Sequence, residues 1–307
     1  MLDLAIVIVN YNTRDVLRAC LDSVRRSTGD ISYQVVVVDN GSADNSVGMV
    51  RAEHPWVAQI IECEQNGGYA CANNIGLRAL GYGKGNALKA LPRYALLLNP
   101  DTVLPGDALQ KMVSYMDGHS DVGVVGPKLV REDGQLDQAC RRSFPTPAVS
   151  FYRFSGLAKL FPRSRRFGRY NLTYLDADAR ADVDSVTGAF MLMRSGALEQ
   201  AGLLDEDFFM YGEDLDLAYR IKQHGWRVVY NPEVTVLHVK GAASRQASAR
   251  SIAAFYHAMR VFHNKHYRSQ TFFLVNWAID LAIAFMGRVA LLRDRLRPVG
   301  RKRVASA

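Results

Sequence analysis

Leu4-Ala5-Ile6-Val7-Ile8-Val9 is an unbroken apolar run, rich in β-branched residues, that stops abruptly at Asn10-Tyr11-Asn12-Thr13. A strand with one face in water alternates apolar and polar residues. A run without alternation has both faces covered, as in a parallel sheet layered between helices. Thr13 is placed to cap a helix reaching about Arg26, with Val16, Leu17, Cys20, Leu21 and Val24 on one side. The pattern then recurs. A second buried strand over residues 35–38 ends in Asp39-Asn40-Gly41-Ser42, a helix starts at Asp44 or Asn45, and a third strand covers 57–61. Asn66-Gly67-Gly68-Tyr69 is a turn, a helix follows through Asn73-Asn74 to Leu80, and residues 94–98 form a fourth strand. This alternation predicts an α/β fold with a doubly wound, mostly parallel sheet flanked by helices. Such sheets bind ligands beyond the carboxyl ends of their strands. Here those ends are Asn10-Tyr11-Asn12, Asp39-Asn40 and Asn99-Pro100-Asp101, all polar and all facing one crevice.

A second stretch carries the chemistry: Phe208-Phe209-Met210-Tyr211-Gly212-Glu213-Asp214-Leu215-Asp216-Leu217. An aromatic run halts at Gly212, and three acids open a helix whose apolar positions are Leu217, Ala218 and Ile221, with Gly225 at its end. Acids in a first turn complement the helix dipole, and that accounts for one or two of them. Acids led in by an aromatic wall sit where water is limited, which suits a general base acting on a substrate hydroxyl.

Other stretches narrow the choice. Residues 81–92 contain Gly and Lys and read as a surface loop, without the Gly-Lys-Ser/Thr of a P-loop; no Gly-x-Gly-x-x-Gly follows the first strand, which speaks against a dinucleotide dehydrogenase. A helix is expected over 104–116, short strands over 122–125 and 128–130, and a hairpin turn at Asp133-Gly134. Residues 141–169 hold many Arg and Phe and no acid. Two readings stand side by side: a solvated basic loop, or a surface for lipid headgroups or a diphosphate-bearing acceptor, given the interleaved Phe151, Tyr152, Phe154, Phe161 and Phe167. In Thr187-Gly188-Ala189, Gly188 enters a strand and lets backbone approach a ligand. Strands over 227–230 and 234–237 lead to His238, by itself only a polar strand end. A helix is expected over 251–266. The apolar stretch 271–293 has one acid, Asp280, and runs into Arg288, Arg293, Arg295, Arg297, Arg301, Lys302 and Arg303. Short of the ~20 apolar residues of a bilayer span, it suits an anchor lying on a membrane surface; the competing reading is a helix packed on protein.

The chain has 307 residues, 49% hydrophobic and 22% charged, which suits one large or two small globular domains. A net charge of +8 favours an anionic partner, either a nucleotide diphosphate or an anionic membrane surface. No nucleic-acid motif, zinc spacing or repeat is found, so no nucleic-acid partner is expected. Cys20, Cys63, Cys71 and Cys140 form no Cys-x-x-Cys pair and are expected as reduced thiols of a cytosolic protein. The opening strand follows no basic start or cleavage site, so it is not expected to be a signal peptide. Nothing in the chain sets its oligomeric state.

Taken in order, Val7-Ile8-Val9-Asn10-Tyr11-Asn12, Val37-Val38-Asp39-Asn40-Gly41-Ser42, Asn66-Gly67-Gly68-Tyr69, Leu98-Asn99-Pro100-Asp101, Thr187-Gly188-Ala189 and Phe209-Met210-Tyr211-Gly212-Glu213-Asp214-Leu215-Asp216 resemble the inverting glycosyltransferases of family 2, of GT-A fold. Within them the chain looks most like bacterial rhamnosyltransferases that use dTDP-L-rhamnose. The resemblance implies a catalytic domain over residues 1–245, its nucleotide-binding half about 1–130 and its acceptor half about 131–245, followed by a basic helical extension over 246–307. It implies that Asp39 holds the nucleotide base beside Asn10, Tyr11 and Asn12, and that Asn66, Gly68, Asn99, Asp101 and Gly188 shape the donor site. Asp101 matches the last acid of the family's Asp-x-Asp element, whose first position is Asn99 here; with His238 it would bind Mg²⁺ or Mn²⁺ together with waters and phosphate oxygens. Asp214 matches the catalytic base, with Glu213 its neighbour and Asp216 structural. The implied reaction moves a hexose from a nucleotide sugar to a polyprenyl-diphosphate-linked glycan, in the cytoplasm on the inner face of the cell membrane. Rival readings are another UDP- or dTDP-hexose donor and a non-catalytic nucleotide-sugar-binding protein.

Overall fold

In the computed structural model of the chain, residues 2–83, 91–239 and 248–297 are described. The expected loop over 81–92 falls largely outside them, as do the domain boundary at 245/246 and Arg301, Lys302 and Arg303. The elements run β1 (Leu4–Asn10), α1 (Arg14–Arg25), β2 (Tyr33–Asp39), α2 (Ser46–Glu53), β3 (Gln59–Glu62), α3 (Tyr69–Ala79), β4 (Tyr94–Leu98), β5 (Thr102–Val103), α4 (Ala108–Gly118) and β6 (Val122–Val130). They continue with α5 (Pro147–Phe154), α6 (Leu157–Leu160), β7 (Ala181–Asp182), β8 (Phe190–Arg194), α7 (Ser195–Ala201), α8 (Glu213–Gln223), β9 (Arg227–His238), α9 (Ser248–His266) and α10 (Phe273–Arg295).

One sheet holds them in the order β3-β2-β1-β4-β8-β6-β9-β5, with β7 also paired to β9. All seven residues of β1 are buried, as an unalternating run between helix layers requires. It pairs in parallel with β2 and β4, and β2 with β3. Past β4 the chain inserts β8 antiparallel to both β4 and β6, so the sheet is mixed. The two short strands expected over 122–130 are one strand, and so are the two expected over 227–237. The pairing of β6 with β9 slips between Pro127 and Lys128, where Asn231 is followed by Pro232, Glu233 and Val234 before Thr235 re-enters the register. Pro232 has no N–H for the ladder, so a bulge there lets the strand continue instead of ending it.

Two clusters make the core. The larger covers both faces of the sheet. The smaller joins Phe208 and Leu215 to Ala258 and Phe262, fastening α9 onto the acidic helix α8. The cysteines are free thiols. Helix α10 runs 23 residues and is long and apolar enough, by length and composition, to cross a membrane, where the sequence reading made its apolar part short of a span. It is tied back to the protein by His263 Nε2, which donates to Asn276 Oδ1 at 2.7 Å, and by the Arg268–Asp280 ion pair at 3.0 Å.

Candidate active site

The carboxyl end of β1 meets that of β2 through side chains. Asn10 Nδ2 donates to Asp39 Oδ1 at 2.8 Å and to Ser42 Oγ at 3.0 Å, and Ser42 N donates to Asp39 Oδ2 at 2.8 Å. Asn12, at a left-handed φ of 51°, accepts from Ala43 N at 2.7 Å. One strand on, Asn66 Oδ1 accepts from Asn40 Nδ2 and Gly68 N, both at 3.0 Å. These bonds hold the turns rigid.

The Asn66-Gly67-Gly68-Tyr69 turn is stitched to the aromatic run before α8. Tyr69 N donates to Phe209 O at 2.7 Å, and the Tyr69 hydroxyl to Gly188 O at 2.9 Å. A Cβ on Gly68 would lie 2.4 Å from that same Phe209 oxygen, at a φ of +97°. Gly68→Ala is therefore expected to cost about 1–3 kcal/mol. A melting temperature equal to the parent's would refute this account of Gly68.

Asp101 and His238 lie side by side because β5 pairs with β9, Thr102 opposite His238. His238 Nε2 stands 3.3 Å from Asp101 Oδ1, and its Nδ1 donates to Asp137 Oδ2 at 2.9 Å. Burial disfavours the imidazolium, but the two carboxylates outweigh burial and push His238 up to about 9. Among the described residues Asn99 Oδ1 is buried without a hydrogen-bond partner and Asp101 Oδ1 has only His238 Nε2 beside it, which leaves both oxygens with capacity for a ligand. Among the described residues no three His, Cys, Asp or Glu side chains converge on one point.

The acidic turn follows two left-handed residues, Tyr211 at φ 71° and Gly212 at 87°. Its three acids differ sharply. Asp214 is an ion-pair partner of Arg142, whose Nη2 donates to Oδ2 at 2.6 Å; Gly188 N adds 3.0 Å to Oδ2 and Leu215 N 2.7 Å to Oδ1. Glu213 is buried with Oε2 unpartnered. Burial first, and then the charge of Asp214, raise its carboxyl to about 8. Asp216 is buried; its burial cost is outweighed by His266, which donates to Oδ1 at 2.8 Å, and by Arg220 and Lys265, so its carboxyl is held down at about 2. Asp216 thus clamps α8 to α9.

Tyr11, Asn66, Asn99, Asp101, Gly188, Glu213, Asp214 and His238 line one cavity of about 1150 Å³. Asn10, Asn12, Asp39 and Gly68 do not line it: Asn10 and Asp39 are buried, and Gly68 backs onto Phe209. Arg142 and Asp137 escaped the sequence reading. Each meets its partner 72 and 101 residues away, respectively, and no local pattern announces either.

Comparison with known proteins places the chain in a family. The N-acetylglucosaminyl-diphospho-decaprenol L-rhamnosyltransferase of Mycobacterium tuberculosis is 27% identical over 299 residues, spanning 96% of both chains. A rhamnosyltransferase of Escherichia coli is 24% identical over 94% of this chain and 95% of its own. The structure of a mannosyltransferase from Pyrobaculum calidifontis, solved with GDP-Man and Mn²⁺, shares the fold at a TM-score of 0.56 and 19% identity, over 94% of this chain and 72% of that one. The profile of the glycosyltransferase-like family 2 matches residues 3–256, taking in every strand of the sheet and the acidic turn; the chain belongs to that family and is a glycosyltransferase.

Proposed function

We propose that the protein transfers L-rhamnose from dTDP-L-rhamnose to a polyprenyl-diphosphate-linked glycan, inverting the anomeric centre by direct displacement. The observation that carries the mechanism is the split within the acidic pair. Glu213 is raised and keeps its proton at neutral pH, while Asp214 is the carboxylate paired with Arg142 on the cavity wall. Two adjacent acids in such different surroundings take different roles: Asp214 receives the acceptor hydroxyl's proton, and Glu213 stays neutral beside it. Asp39 has two of its roughly four lone-pair sites in use, which leaves acceptor capacity for an N–H of the nucleotide base. Asn10, Asn12, Asn66 and Gly68 set the turns on which the donor rests. The rhamnose donor and lipid-linked acceptor draw support from the end-to-end similarity to the Mycobacterium tuberculosis enzyme.

The site fits a divalent cation, Mg²⁺ or Mn²⁺. Asn99 Oδ1 is a buried oxygen with no hydrogen-bond partner among the described residues, Asp101 Oδ1 has only His238 Nε2 beside it at 3.3 Å, and Asp137 holds the far ring nitrogen, so a cation would take the place of the proton that His238 Nε2 shares with Asp101. When bound, the cation stabilises charge growing on the leaving diphosphate.

The test is a donor panel. Incubating the protein with dTDP-rhamnose, other dTDP- and UDP-hexoses, and lipid extract should give a mass shift of one deoxyhexose with dTDP-rhamnose alone. A hexose shift with another nucleotide sugar would replace the donor, and no turnover with any would leave a nucleotide-sugar-binding protein.

The reading places the enzyme on the cytoplasmic face of the membrane through α10. Phe273, Trp277, Leu281 and Phe285 form an exposed stripe, with Trp277 and Phe285 each 65% accessible. Changing Trp277, Leu281 and Phe285 together to Glu is expected to abolish sedimentation with anionic vesicles and to leave nucleotide-sugar affinity intact. Equal recovery of variant and parent would mean that α10 is covered by protein instead.

A further inference from the structure

The cavity continues well beyond the carboxylates. At about 1150 Å³ it exceeds the roughly 300–1,000 Å³ of ordinary small-ligand sites, and its far end is built from helix faces. On α10, Val275, Ala278, Ile279, Ala282, Ile283 and Met286 line it, at the i, i+3, i+4, i+7, i+8 and i+11 spacing of a single apolar face. Phe255 and Met259 of α9 stand opposite. This face is distinct from the outward stripe, so α10 is apolar on two sides, one toward the cavity and one away from the protein.

The same cavity carries cationic and aromatic residues. Arg153 lies 4.2 Å over the Tyr170 ring and donates to Asn171 Oδ1. Arg166 donates to the Tyr152 hydroxyl at 2.9 Å, and Arg250 lies 4.3 Å over the Phe209 ring. All three line the cavity, and these partners are neutral, which leaves their charge available to an anion. One cavity therefore combines a carboxylate, guanidinium groups and a hydrocarbon face.

We infer that the groove between α9 and α10 holds the first isoprene units of a polyisoprenyl diphosphate. Its diphosphate lies against Arg153, Arg166 and Arg250, and the sugar it carries presents a hydroxyl to Asp214. The inference rests on the lipid-linked acceptor proposed above and adds where the lipid is held: inside the protein, next to the base. This combination of charge and hydrocarbon selects the occupant. A nucleotide has no apolar chain to fill the far end, and a neutral lipid leaves the arginines unmatched.

The test is calorimetric titration of the full-length protein, without detergent, by inorganic pyrophosphate, isopentenyl diphosphate, farnesyl diphosphate and decyl phosphate. Affinity should rise on the order of tenfold or more from isopentenyl to farnesyl diphosphate. Pyrophosphate should be weakest, and decyl phosphate at least tenfold weaker than farnesyl diphosphate. Ala278 and Ala282 are accessible on the groove wall, so Ala278→Trp and Ala282→Trp should fold, block the groove and flatten the chain-length dependence. Nucleotide-sugar affinity on the same samples is the folding control. An affinity that ignores chain length, Trp variants that bind like the parent, or decyl phosphate matching farnesyl diphosphate would each overturn the groove. Nucleotide-sugar binding without chain-length dependence sinks the groove alone. Chain-length dependence without any nucleotide-sugar binding supports the groove and sinks the glycosyl-transfer reading.

Discussion

Replacing Asp214 by Asn is expected to lower turnover by ~10²–10⁴-fold, the range general-base catalysis contributes, while nucleotide-sugar affinity changes little. The base contacts the acceptor, not the donor diphosphate. Asn keeps an oxygen that accepts from Arg142 and Gly188 N, but its NH2 can neither accept from Leu215 N nor take up a proton. The ion pair becomes a neutral hydrogen bond to a buried Arg142, so some melting temperature is lost as well. Turnover is therefore compared well below both melting points. A purely dipolar role for the acidic turn predicts instead that each acid contributes ~0.3–1 kcal/mol of stability and none controls rate. A folded Asp214→Asn protein turning over at near the parent rate would remove Asp214 as the base.

The neighbouring acids give contrasting results. Glu213 is raised from 4.5 to about 8 in the folded protein, so the folded state holds a proton that the unfolded chain releases between those values. Its contribution therefore makes stability fall as pH rises from about 4.5 to about 8. Glu213→Gln should remove that slope, seen as a melting temperature that gains more at pH 8 than at pH 5; equal gains at both would contradict the buried neutral acid. Asp216 runs the other way. Held at about 2 against its ordinary 3.8, it contributes stability that is present above 3.8 and lost as pH falls through about 2. Asp216→Asn should cost about 3–5 kcal/mol, the range for breaking a buried ion pair, with kcat per folded molecule far less affected than in Asp214→Asn.

Chelation should be as damaging as loss of the base. Treatment with EDTA is expected to abolish transfer, and Mg²⁺ or Mn²⁺ to restore it. Asp101→Asn should weaken nucleotide-sugar binding as well as turnover, because the Asp101 carboxylate lines the cavity with His238 beside its Oδ1. Asp137→Asn should weaken metal affinity by ~10–100-fold, the usual effect of losing the carboxylate behind a ligating His. Metal-dependent donor affinity, measured by titration, reads both without reference to catalysis. Full transfer by metal-free protein would end the metal role of Asp101 and His238.

Much of this site can be read along the chain, and the reasons are local. The unalternating β1 run places Asn10-Tyr11-Asn12 at a buried strand end, and β2 and β4 repeat the device with Asp39 and Asn99-Pro100-Asp101. Strand ends of a layered sheet have nowhere else to present polar side chains than its edge crevice. The acidic turn is equally legible, since Gly212 and the 3.6-residue spacing of Leu217, Ala218 and Ile221 fix where the helix starts and which way it faces. Less legible were β6 and β9. Their interruptions at Pro127 and Pro232 look like strand ends, and only pairing with each other keeps both strands running.

The sequence by itself thus determined the fold class, the crevice and its acids, because each follows from periodicity and chain breaks within a few residues. The tertiary structure alone decided what surrounds each acid. Asp214, Glu213 and Asp216 are near-equivalent in a string of letters, and they separate only because Arg142 arrives from 72 residues upstream, His266 from 50 downstream, and nothing reaches Glu213 Oε2. It also decided that Asp137 stands behind His238 and that α10 turns one apolar face into the cavity. A carboxylate's protonation state depends on burial and on charges within a few ångströms. Those neighbours are set by how the sheet and helices pack, which no local pattern encodes.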